Sequence, residues 1–319
     1  MSDTRAVGVM LPRDLPAAVV LDYARRAESL GFDELWVVED LGFRGGVAQA
    51  AAVLAVTERI RVGVGVLPAA VRNAAFTAME VATLAQLFPG RVDVGIGHGM
   101  PGWMRSVGAW PASPLRLLED HLRSVRALLG GDAVEGGHGY VEAEGVRLEP
   151  SAVPAVAPRV LAGVRGPRSL ALAGRAADGT VLAEPCAPEY IRQAIAQIDA
   201  PGPHRVVTYD VAAVDEDGAA ARDVVRGGLE WIGETDWSPH LDPLPFAEEF
   251  RALRARSVTR EEFVAAMPDA WVQRLALAGT PAEVRGQIDA RHEAGATVVV
   301  MVPIGPDPMA ALEAVARVL

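Results

Sequence analysis

A single cysteine, Cys186, in 319 residues rules out an internal disulfide, so nothing in the chain calls for an oxidising compartment and a cytosolic address is the default reading. Long apolar runs are also missing. The stretch 294–306 is too short to cross a bilayer, and the N-terminal MSDTRAVGVMLP lacks the charged segment and apolar core of a signal peptide, so no membrane segment is expected. Positive charge is in deficit, with 30 Lys and Arg against 41 Asp and Glu for a net charge of -11. That balance argues against a nucleic-acid surface and fits a small-molecule partner. Among the histidines, His121, His138, His204, His240 and His292 are scattered and form no HxH or HExxH spacing, so no metal is expected. A GxSxG elbow, a Walker loop, low-complexity tracts and linkers are likewise absent. With 50% hydrophobic and 22% charged residues, what is left is a folded chain with a large core.

The most informative stretch is RIRVGVGVLPAAVRNAAFTAMEVATLAQLFPGRVDVGIGHGMPG, residues 59–102. Ile60 to Leu67 reads as a buried parallel strand, with Gly63 and Gly65 where another backbone or a ring must come close, and Pro68 ends it. A helix follows over 73–87, with Asn73 as its N-cap and Pro89-Gly90 as its stop. Val92, Val94 and Ile96 start the next strand, which opens into Gly97-His98-Gly99, a turn whose amides suit an anion.

This alternation continues to the end of the chain. Strands are expected at Val7 to Met10, Leu35 to Val38, Ile60 to Val66, Val92 to Ile96, Arg159 to Ala162, Thr180 to Leu182, Val206 to Ala212 and Thr297 to Val302. Eight strand–helix units point to an α/β fold of the (β/α)8 TIM-barrel type in one domain spanning 1–319. Two insertions interrupt it. One near 133–150 reads as a hairpin with β pieces at Tyr140-Val141 and Val146 to Leu148; the other, 231–272, reads as a helical lid with a helix at Phe246 to Arg256.

In such barrels the loops after the strands build the site, so Asp40, Val66 to Pro68, Gly97 to Met100, Gly163 to Pro167 and Glu184 should converge. The best phosphate candidate is LAGVRGPRSLALAGRAADG. There the amides of Val164, Arg165 and Gly166 precede a helix that starts at Pro167. On the residues alone this reads as a plain glycine turn into a helix. Glu80 and Arg91 read as a buried structural pair, Trp36 as core, and Trp103 as either core or the wall of a substrate cleft.

The ordered series LGFDELWVVED, RIRVGVGVLP, AMEVATLAQLFPGRVDVGIGHG, GPRSLALAGRAADGTVLAEP and LAGTPAEVRGQIDARHEAGATVVVMVP resembles the bacterial luciferase-like superfamily over nearly the whole chain. Within that superfamily it is most similar to the branch of the deazaflavin-dependent methylenetetrahydromethanopterin reductases. The resemblance implies FMN or the deazaflavin coenzyme F420 at the strand ends and a hydride-transfer or monooxygenase reaction. It turns the glycine turn before Pro167 into a phosphate site and implies a non-prolyl cis peptide at Gly65-Val66. The cofactor contacts it implies are Gly65, Val66, Gly97, His98, Gly99, Val164, Arg165 and Gly166.

Two positions depart from that branch. Asp40 stands where relatives carry histidine, and Met100 stands where some carry an acid, with His98 one step away. His98 and Asp40 are therefore the candidate catalytic residues. For His98 two readings stand, a proton donor or a residue that only shapes the turn. The expected activity is that of an oxidoreductase passing hydride between flavin or deazaflavin and a small organic substrate. Its alternatives are an FMN-dependent monooxygenase fed by a flavin reductase and a flavin-binding barrel without turnover. A homodimer is the other partner considered.

Overall fold

The computed structural model describes residues 5–135, 139–143 and 145–319. Valine-rich segments form nine strands: β1 (Ala6–Met10), β2 (Glu34–Val37), β3 (Arg61–Pro68), β4 (Val92–Gly97), β5 (Arg159–Gly163), β6 (Gly179–Leu182), β7 (Arg205–Val214), β8 (Leu277–Gly279) and β9 (Val298–Pro303). All ladders are parallel. β1 to β7 and β9 close into an eight-stranded barrel through the β6–β7, β7–β9 and β9–β1 pairs. Sequence reading places these eight strands to within one or two residues and misses β8, a short parallel addition to the end of β7. Three residues are too few to show a period.

Helices cover the barrel, and most begin on recognisable chemistry. Asn73 accepts from the amides of Ala75 and Phe76 at 2.9 and 3.4 Å to open helix Ala74–Leu87. Pro167 occupies the first turn of helix Pro167–Ala176, where its missing N–H costs nothing. Helix Ala74–Leu87 packs inward on small residues, Ala74, Thr77, Ala78, Val81, Ala82, Leu84 and Ala85, and leaves Phe76, Met79 and Leu87 exposed.

Inside the barrel lies a separate layer of Trp36, Leu161, Val181, Val207, Tyr209, Val298 and Val300. Trp36, core as expected, donates its Nε1–H to Glu34 at 2.9 Å, and Glu34 pairs with Arg205 at the N-terminal end of the barrel. The strand glycines serve this interior. The Trp36 indole occupies the space a side chain at Gly63 would need, and the Tyr209 hydroxyl packs against Gly65.

Two expectations are corrected. Arg91 does not pair with Glu80: its guanidinium donates to the carbonyls of Ile60 and Thr57 and to Thr57 Oγ1 at 3.0, 2.9 and 2.6 Å, while Glu80 accepts from Arg72 at 2.9 Å. The left-handed turn at Gly90 aims Arg91 back at these carbonyls and away from the helix. None of the described residues in 133–150 lies in a strand. What remains of the hairpin is the backbone pair of Val134 with Gly145 and Val146, at 3.1 and 2.9 Å. His138 lies outside the described residues. As expected, the segment 231–272 folds into short helices, among them Ala247–Arg256, and packs Ile232, Phe250, Phe263 and Val272 into an apolar cluster that it shares with Val211 and Ala213 of β7 and Ala278 of β8.

Candidate active site

The C-terminal ends of β2 to β7 and the first turns of 231–272 enclose a cavity of about 600 Å³. Of the residues proposed from sequence, Asp40, Gly65, Val66, His98, Gly99, Val164, Arg165 and Gly166 line it. Gly97 does not. A side chain there would meet Val66 Cγ2 at 2.8 Å, so this glycine makes room for Val66. Glu184 does not line it either, although its neighbour Ala183 does.

Past β2, both acids are engaged. Asp40 accepts from Arg13 at 2.6 Å, and Glu39 accepts two bonds from Arg72 at 2.7 and 3.1 Å and one from the Gly46 amide at 2.7 Å. β3 carries a register shift between Val64 and Leu67, and its Gly65–Val66 peptide is cis. The bulge turns Val66 across Gly95, Gly97 and Gly163 at the cavity floor.

Past β4, His98 Nε2 lies 3.1 Å from Ser169 Oγ, tying the glycine turn to the first turn of helix Pro167–Ala176. Burial holds the imidazole below its ordinary pKa, with the Pro114 carbonyl pulling the other way, so the ring is neutral at neutral pH. After β5, the Val164 amide donates to the Val181 carbonyl at 3.3 Å and is used up by the fold. The amides of Arg165, Gly166, Arg168 and Ser169 have no partner among the described residues. They converge at a helix N-terminus, the arrangement that favours an anion. A side chain at Gly166 would project into open space.

The segment 231–272 is fastened to this loop. Arg165 stacks over Trp237 at 4.8 Å and donates to the Asp236 carbonyl at 3.3 Å, and Trp237 Nε1 donates to the Glu184 carbonyl at 3.1 Å. Buried His240 donates from Nδ1 to the Pro185 carbonyl at 3.1 Å. Thr235, Asp236 and Pro239 thereby reach the cavity wall, which Trp103 and Trp110 also line.

Sequence reasoning missed Glu39, Ser169, Tyr209 and these three residues of 231–272. Tyr209 carried a usable signal, a lone aromatic at the inward position between Val207 and Val211. It is 5% exposed, and its hydroxyl has no hydrogen-bond partner among the described residues.

A sequence profile described as luciferase-like monooxygenase matches residues 4–298. The chain belongs to this family. As a member of it, the chain is 26% identical to a 5,10-methylenetetrahydromethanopterin reductase of Methanolobus tindarius, over 96% of this chain and 97% of that protein. It is 34% identical to an F420-dependent glucose-6-phosphate dehydrogenase of Nocardia farcinica over 53% of each. The fold is shared with a coenzyme F420-dependent tetrahydromethanopterin reductase from Methanopyrus kandleri, with a TM-score of 0.84, 20% identity and coverage of 99% of this chain and 98% of that one.

Proposed function

We propose that this family member is an oxidoreductase that binds coenzyme F420 by preference, or else FMN, and passes hydride between its ring and a small organic substrate. The observation that carries this reading is the set of four unpartnered amides at the start of helix Pro167–Ala176, opening on a cavity with an unpaired hydroxyl in its floor. A phosphate-bearing cofactor with a polar ring edge fits both. The relatives named as F420-dependent enzymes support the choice of ring.

When bound, the ring supplies the hydride donor or acceptor. Arg165, Gly166, Arg168 and Ser169 would hold its phosphate with backbone N–H groups, and Arg165 would add charge. Val66, Val181 and Ala183 give an apolar floor that fixes the ring and excludes water. Trp103, Trp110 and Pro239 bound the side left open to substrate. Neutral His98 fixes the turn through Ser169, and no hydrogen bond makes it a proton donor to the cavity.

Fluorescence titration of the purified protein with each cofactor tests the assignment. Saturable binding of F420 is expected. Saturable binding of FMN alone would replace it with the monooxygenase reading and bring in a flavin reductase as partner, and binding of neither would overturn the oxidoreductase reading. We also infer a homodimer built on the face of helix Ala74–Leu87 that exposes Phe76, Met79 and Leu87. Its exposed side carries these three large apolar residues beside Glu80, Thr83 and Gln86, more apolar area than a solvent face needs.

A further inference from the structure

We propose that Tyr209 is a cofactor-contacting residue, its hydroxyl donating a hydrogen bond to the pyrimidinedione edge that FMN and coenzyme F420 have in common. The inference rests on the reading of the cavity as a site for one of these rings.

Tyr209 stands on β7, across the barrel from the bulge of β3, and is fixed by packing. Its ring meets Trp36 edge-on at a centroid distance of 5.9 Å, and its hydroxyl reaches the Cα of Gly65. A side chain at Gly65 would collide with this oxygen, and both residues line the cavity. Around them the floor is apolar, with Val66, Val181 and Ala183. The hydroxyl is buried, yet no backbone or side-chain group among the described residues bonds to it. Such a group has lost water without gaining a partner, a cost that a bound acceptor would relieve. What completes it must carry a hydrogen-bond acceptor and lie against Gly65 and Val66, below anything entering from the mouth.

The negative charges of Glu184, Glu34 and Asp40 act on the hydroxyl through space. Burial, reinforced by these negative charges, drives the phenol far above its ordinary pKa. It therefore stays a neutral donor at any working pH and cannot serve as a base. A pyrimidinedione edge presents carbonyl acceptors in a plane, which a single fixed donor at the floor can meet.

Tyr209→Phe keeps the ring against Trp36 and removes only the oxygen. Binding of FMN and of oxidised F420 is measured for parent and variant by fluorescence titration, with the bound ring's absorption spectrum and the melting temperature without ligand. Loss of one hydrogen bond should weaken binding of whichever ring the parent takes by about 3- to 10-fold and alter its bound spectrum. The ligand-free protein should lose no melting temperature, because the oxygen removed was unpaired. Unchanged affinity and spectrum overturn the proposal, and so does a lower melting temperature with unchanged affinity, the result expected of a purely structural tyrosine. If the parent binds neither ring, the cavity reading falls as well; if the parent binds and the variant binds equally, only the role of Tyr209 falls.

Discussion

Single residues of the site differ in how much of their role the sequence displayed. Gly166 is legible because a glycine before a helix-starting proline implies an open backbone. Its φ of -93° and ψ of 157° suit any residue, and no protein atom lies within 4 Å of the place a Cβ would take there. Gly166→Val should therefore leave the melting temperature nearly unchanged while sharply weakening cofactor binding, since the added methyls occupy space a phosphate would use. Equal cofactor affinity in this variant would show that the phosphate lies elsewhere. His98 was legible as important but not in which way. Because burial keeps it neutral and Ser169 occupies Nε2, His98→Ala should reduce turnover by less than the roughly 100-fold loss typical of a general acid or base. A larger drop with intact cofactor affinity would restore it as a proton donor. Tyr209 escaped notice because nothing in its neighbourhood along the chain tells that its hydroxyl ends unpaired under Gly65.

Elements reveal where local pattern is sufficient. Buried parallel strands declare themselves by valine runs, and helix Ala74–Leu87 by its Asn73 cap, since both signals lie within a few residues. Which face turns inward is another matter. Of the apolar series Phe76, Met79, Val81, Leu84 and Leu87, only Val81 and Leu84 turn inward, in company with Ala74, Thr77, Ala78, Ala82 and Ala85. This leaves Phe76, Met79 and Leu87 on a face whose one charged residue, Glu80, is paired with Arg72. If two copies meet there, Met79→Lys should shift the protein from dimer to monomer in size-exclusion chromatography with light scattering, without loss of secondary structure. A monomeric parent would refute the homodimer. The expected pair of Glu80 and Arg91 failed for a similar reason: partners were assigned by proximity along the chain, whereas Arg91 satisfies carbonyls of Thr57 and Ile60 from the neighbouring unit.

At the scale of the whole molecule, burial of neutral histidines couples stability to pH. Burial, with the charge of Arg72, lowers the pKa of His121 to about 4, and burial, with the charge of Arg165, lowers that of His240 to about 3. Both titrate near 6.5 when unfolded, so between these values the unfolded chain binds more protons and stability falls as pH falls. About one unit below the unfolded value, each histidine costs about 1.4 kcal/mol. Denaturant unfolding at two pH values should show this loss, and His240→Gln should make it smaller; an equal loss in the variant would clear His240 of the effect. The same long-range assembly explains the division between what was readable and what was not. Sequence alone determined the (β/α)8 order, the strand ends at which the site gathers and the glycine turn before Pro167, because periodicity, capping and turn chemistry act over neighbouring residues. The closure of the barrel, the committed amide of Val164, the fastening of Arg165 to Trp237 and the orphaned hydroxyl of Tyr209 were decided only by tertiary structure. Each depends on which polar groups remain after distant segments have satisfied one another, and that remainder is a property of the packed whole.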